Sequence, residues 1–207
     1  MELNPGTLEC YPQCFCETHG PFGVLFWTSG AYFLSSLLLY FRTTKKTPEF
    51  EFWIFCTITL AISSFLFHAT QTLATVALDY ASISMTLLFF PCWNRFSKLS
   101  RRRKELGFYL TYFALWLTYY QLAQWMRIGL GLTIFAGSLA TVRKEVVRFR
   151  NHAYLQASVT LALVSFGAFI LEESRMVCDP DSLIQSHGLW HIGSAIALYL
   201  YGRWRFS

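Results

Sequence analysis

Seven long apolar runs separated by short polar or basic stretches organise this chain. They fall at about 23–41, 52–69, 71–92, 107–124, 126–142, 153–171 and 186–202, each near the ~20 residues that a helix needs to cross a hydrocarbon layer. The pattern predicts an all-α, polytopic membrane protein, a bundle of seven transmembrane helices. The fourth and fifth runs meet at Gln124 and Trp125 with Arg127 as the only further break, so six spans is the alternative count. Residues 1–21 are polar and carry no basic stretch followed by an apolar one, so they do not read as a cleavable signal peptide. The expected organisation is a non-cytosolic amino-terminal segment at 1–22, one membrane domain at 23–202 and a cytosolic tail at 203–207.

Charge orients the spans. Arg42, Lys45 and Lys46 follow the first run; Arg95, Lys98 and the Arg101–Lys104 cluster follow the third; Arg143, Lys144, Arg148 and Arg150 follow the fifth; Arg203 and Arg205 close the chain. Fifteen of the 17 basic residues thus fall on one side, which the positive-inside rule makes cytosolic. The amino terminus is expected outside and the carboxyl terminus inside; the organelle or bacterial membrane is left open. Composition agrees, with 54% hydrophobic and only 14% charged residues against roughly 25% charged in soluble domains. The net charge of +5 therefore reports topology and not a nucleic-acid partner.

A few ionisable residues interrupt the apolar runs, where they are costly and usually functional. His187 and His191 are four apart and share one helix face. Ser64 and His68 repeat that spacing in the second run, and Asp79 follows in the third. With the chain oriented, His68 lies at the outer end of its span, Asp79 about 12 Å into the next, and His187 and His191 in the first two turns of the last. All converge on the outer half of the bilayer, which points to one site. A single membrane histidine more often packs through a hydrogen bond than binds a metal, and an i,i+4 pair can also join helices; convergence in depth favours the site.

Three imidazoles with a fourth position open match the ligand set of a catalytic zinc, and imidazole suits zinc better than magnesium or calcium. His68, His187 and His191 are the expected ligands. Asp79 is the carboxylate placed to take and return a proton of the water that zinc activates. Ser64 could donate to an oxyanion, although serine in membranes also serves close helix packing. His19 and His152 lie in extramembrane or interfacial stretches and read as solvated.

The segments SSFLFHATQTLATVALDY and HGLWHIGSAIALYLY resemble the two signature segments of the alkaline ceramidases and of the wider CREST superfamily of seven-span membrane hydrolases. That superfamily also holds GPI-lipid remodelling proteins and adiponectin-type receptors. CFCETHGPFG followed by LFW is similar to the stretch that opens many ceramidase-like sequences. By position the resemblance implies the same zinc ligands, His68, His187 and His191, with Ser64 and Asp79 beside the metal. It implies hydrolysis of the amide of ceramide or a related N-acyl sphingoid. Some ceramidases also build a calcium site from amino-terminal acids; Glu17 remains here, but Leu25 and Tyr80 stand where ceramidases commonly carry acids, which argues against a complete calcium site. Alternatives are an ester-cleaving lipid hydrolase of the GPI-remodelling type and a receptor with a structural zinc.

Cys178 and the cluster Cys10, Cys14 and Cys16 are all assigned to the non-cytosolic side, where disulfides persist. A bridge tethering the amino-terminal segment and unpaired thiols are both open readings. Cys56 and Cys92 are expected free.

Overall fold

Local signals punctuate the apolar runs into helices. Thr47 precedes Pro48 at the first helical position and its Oγ1 accepts the Phe50 N–H at 3.2 Å, with Glu49 and Glu51 in the first turn. A capping hydroxyl, proline at the first position and acids near the positive helix end each favour a start there. At the other end Gln71 takes the left-handed conformation (φ 50°) and its N–H donates to Phe67 O at 2.7 Å, closing the helix. Thr72 and Thr75 then cap the next helix reciprocally, each hydroxyl accepting the other's backbone N–H at 3.1 and 3.3 Å.

The structure is a computed structural model that describes residues 23–95, 99–148, 152–173 and 184–206. Glu17, His19, Cys10, Cys14, Cys16 and Cys178 lie outside the described residues, and with them the expectations for calcium and for a disulfide. Among the described residues the chain is wholly helical, with α1 at Val24–Arg42, α2 at Pro48–Thr70, α3 at Leu73–Arg95, α4 at Arg101–Gln121, α5 at Gln124–Arg148, α6 at Ala153–Glu173 and α7 at Ser186–Phe206. One helix stands on each apolar run. Three of them, α1, α2 and α6, are long and apolar enough to cross a membrane. α7 continues past residue 202 to Phe206, and Arg205 Nη2 reaches Glu49 Oε1 of α2 at 2.8 Å.

α4 and α5 are separate helices because Arg127 folds back on the turn between them. Its guanidinium is buried and Nε donates to the carbonyls of Tyr119 (3.0 Å) and Leu122 (2.8 Å), satisfying acceptors that the end of α4 leaves open.

α1 packs between α2 and α7, α2 against α3, and α6 against α7, while α4 and α5 both pack on α3. Small residues set the closest approaches. A Cβ on Gly188 would sit 3.3 Å from Thr28 Cγ2, so α7 lies against α1; one on Gly193 would strike the Ser165 side chain, so α7 lies against α6.

Beside an apolar core that includes Phe50, Trp53 and Phe89, the bundle encloses many polar groups and turns large apolar ones outward. Ser29, Ser36, Thr57, Ser63, Ser64, His68, Asp79, Glu172 and His191 are buried, while Trp27, Leu34, Phe41, Ile62, Leu110, Phe113 and Val164 face outward. Apolar outward faces of this extent, on long apolar helices, fit association with a membrane.

Candidate metal centre

The hairpin at Gln71 and the shared starting end of α1 and α7 bring four helices to one depth. His68 stands one turn before Gln71 on α2; His187 and His191 occupy the first two turns of α7. The three imidazoles meet edge to face, with ring centroids 4.9 Å apart for His68 and His191, 5.4 Å for His68 and His187, and 4.7 Å for His187 and His191. All are buried, and one nitrogen from each lies within 4.8 Å of the others. This set could hold a metal ion.

Two of the rings face oxygen atoms of neighbouring helices, one through hydrogen bonds and one across an ion-pair distance. His191 Nδ1 faces Thr28 Oγ1 of α1 at 3.0 Å, with Ser29 Oγ at 3.5 Å. His187 Nδ1 lies 3.4 Å from Glu172 Oε1 at the end of α6, and Glu172 Oε2 also accepts the His187 backbone N–H. Glu172 is only 2% exposed. One carboxylate therefore orients the ring through its Nδ1 and anchors the start of α7, whose free N–H groups and dipole favour an anion. His191 Nδ1 thus has a hydroxyl partner, and His187 Nδ1 faces a carboxylate oxygen. Outer hydrogen bonds of this kind commonly orient ligating histidines.

The other two expected residues sit beside this cluster with partners of their own. Asp79 is buried, and Ser63 Oγ donates to its Oδ1 at 3.4 Å. Ser63 and Asp79 each lie eight residues from Gln71, so the hairpin places them at equal depth. Ser64 is turned to α1 instead, with its hydroxyl 2.9 Å from that of Ser29. Ser64, Ser29 and His191 thus form a chain of hydroxyls ending on an imidazole. His152 lies apart, 6.3 Å from the Trp204 ring, and Cys56 is a free, buried thiol.

Two cavities adjoin the cluster. The smaller, about 50 Å³, is lined mostly by apolar side chains such as Phe67 and Phe169, with Asp79, Tyr80, Ser84 and His187 as its polar groups; that size and those groups suffice for a water or two. Ile83, Leu87, Phe135 and Trp190 also border a second cavity of about 120 Å³, which continues between α2, α3, α5, α6 and α7 as far as Trp53 and Tyr201. The walls of this second chamber are almost wholly apolar. At its upper side Tyr32 Oη is 2.7 Å from Ser194 Oγ, and its ring is 5.7 Å from that of His191.

Thr28, Ser29, Ser63 and Glu172 were not among the residues singled out by spacing. The hydroxyl pair in the apolar first run was a visible signal; Glu172 beside Glu173 reads as an interfacial acid until α6 packs on α7. Comparison with protein-family models, with curated proteins and with solved structures finds no match to this chain.

Proposed function

We propose that this chain is a seven-span membrane hydrolase that uses zinc, held by His68, His187 and His191, to cleave the amide of a ceramide or a related N-acyl sphingoid. The observation that carries the reading is the meeting of three buried imidazoles with a buried carboxylate at the head of an apolar chamber. The donor set fits zinc: three neutral nitrogens suit it better than a hard cation. Tetrahedral bonds of about 2.0–2.1 Å would bring the nitrogens, now within 4.8 Å, to about 3.4 Å of one another, an adjustment of up to about 1.4 Å. When bound, the metal would supply Lewis-acid activation of water and of the substrate carbonyl.

The chain's own residues divide the remaining tasks. Asp79 opens on the same small cavity as His187, where its carboxylate takes a proton from water as the new C–O bond forms and returns it to the leaving nitrogen as the C–N bond breaks. Ser63 holds Asp79 Oδ1. Thr28, Ser29 and Glu172 hold the rings. The apolar chamber offers a dry seat for an alkyl chain running from Trp190 to Tyr201 on α7, about 17 Å at the helical rise. Water adds across the amide, and the products are a fatty acid and a sphingoid base.

The charge pattern supports a site in the outer leaflet, with the amino terminus non-cytosolic and the carboxyl terminus cytosolic. Outward apolar faces on helices that carry polar ends, such as Leu106, Leu110 and Phe113 on α4, support crossing by all seven. The test is incubation of the purified chain with a ceramide bearing a labelled acyl chain and, separately, with a matched acyl ester, products being read by mass spectrometry. Release of labelled fatty acid from the amide, abolished by a chelator and restored by zinc, is expected. Cleavage of the ester alone would make the chain an ester hydrolase, and cleavage of neither would favour a receptor with a structural metal.

A further inference from the structure

At the end of the bundle opposite the histidines, α3 and α4 diverge around a groove of about 230 Å³. Met85, Leu88, Phe108 and Thr111 line it, and exposed Arg103 with half-buried Lys104 marks its mouth. Lys104 Nζ lies 4.8 Å above the ring of buried Trp93, which draws the ammonium over the apolar surface.

The charges at this mouth are uncompensated. Arg101, Arg102, Arg103 and Lys104 occupy the first turn of α4, which has no acid, and Ser100 makes no side-chain cap. Cations at the positive end of a helix are unfavourable. Arg101 is neutralised by Glu51 at 3.2 Å and Glu105 at 2.6 Å. Among the described residues neither Arg103 nor Lys104 has a carboxylate within ion-pair distance. A site with an apolar floor and a cationic rim suits an amphiphile with an anionic headgroup and an apolar tail, and the long apolar face of α4 below it (Leu106, Leu110, Phe113) is outward.

We propose that the α3–α4 groove binds one anionic glycerophospholipid of the surrounding bilayer, its phosphodiester between Arg103 and Lys104 and one acyl chain against Met85, Leu88 and Phe108. This site is separate from the histidine cluster and does not depend on the hydrolase reading.

The experiment is native mass spectrometry of the full chain released from nanodiscs of equal parts phosphatidylcholine and phosphatidylglycerol. The wild type should retain one phosphatidylglycerol in clear excess over phosphatidylcholine. Arg103→Gln with Lys104→Gln should lower that excess by about 10-fold or more, since basic residues supply the attraction to an anionic headgroup. Arg102→Gln, exposed in the same turn but outside the groove, should change it little. Gly107 lines the groove and has open space where a Cβ would stand, so Gly107→Leu should fill the seat and reduce retention with all charges kept. Equal retention of both lipids by the wild type overturns the proposal. So does a loss with Arg102→Gln as large as with the double variant, which would mean a diffuse surface potential. Full retention by Gly107→Leu, or displacement of the lipid by millimolar inorganic phosphate, would likewise exclude a lipid seated in the groove. Melting temperatures near the wild type's would show that each variant is folded, and Gly107→Ala offers a milder filling if Gly107→Leu unfolds.

Discussion

Glu172 is the most informative residue to perturb, because one buried carboxylate serves both a ring and a helix end. Its Oε1 lies 3.4 Å from His187 Nδ1 and its Oε2 accepts the His187 backbone N–H. Glu172→Gln keeps an oxygen for the backbone N–H but removes the negative charge that faces the ring. Loss of such an outer partner typically weakens metal binding by 10–100-fold, which corresponds to about 1.4–2.7 kcal/mol. Glu172→Ala removes both functions. It should weaken zinc at least as much and also cost about 1–3 kcal/mol of stability, the usual penalty for depriving a buried donor of its acceptor. Competition titration against a chromogenic zinc chelator measures the first effect, and thermal unfolding of the chelated protein in detergent measures the second. Zinc affinity within about 2-fold of wild type in both variants would refute the role assigned to Glu172, and unchanged stability of Glu172→Ala would refute the anchoring of α7.

Asp79→Asn should keep the fold and most of the metal yet lose lipid hydrolysis by about 10²-fold or more; turnover near wild type would make Asp79 a packing partner. Ser63→Ala, which removes the hydroxyl donating to Asp79 Oδ1, should shift the pH dependence of hydrolysis, whereas Ser64→Ala should leave the pH profile in place and act through Ser29 and His191; identical profiles for both would contradict this division. Gly193→Ala should destabilise the α6–α7 seam by about 1–3 kcal/mol, because rotating the Ser165 hydroxyl away still leaves its Cβ 3.1 Å from the added atom. Ser165→Gly in the same chain should restore the melting temperature, and a neutral Gly193→Ala would sink the close-packing argument.

Much of this architecture is visible in apolar periodicity, and the residues that escape it do so for definite reasons. Each of the seven apolar runs carries one helix, but α2 starts at Pro48 and α4 at Arg101, several residues before their runs, because a cap with acids and a basic first turn are helical without being apolar. Among the described residues three helices meet the length and hydropathy of a membrane span; buried Arg127 in α5 and buried His187, His191 and Tyr201 in α7 lower hydropathy at sites that packing encloses. The histidine triad was legible from the four-residue spacing and from depth. Ser63 was not distinguishable from Ser64 in sequence, because the choice depends on register through the left-handed Gln71. Glu172 was legible only as an interfacial acid, for its burial arises from contact with a helix that begins fourteen residues further on. Arg127 read as a break between runs, and it is the bonds to Tyr119 and Leu122 that make the break a turn.

The central claim is that His68, His187 and His191 hold one catalytic metal ion. Its most direct test is elemental analysis of the purified full chain by plasma mass spectrometry, paired with hydrolysis of the labelled ceramide on the same samples. Wild-type protein is expected to carry about one zinc per chain, three protein ligands with one open position being the catalytic arrangement. His187→Ala and His191→Ala should each lose most of the zinc together with activity. Stoichiometric zinc retained in the His187→Ala, His191→Ala double variant, or full hydrolysis by a wild-type sample stripped of metal, would contradict it.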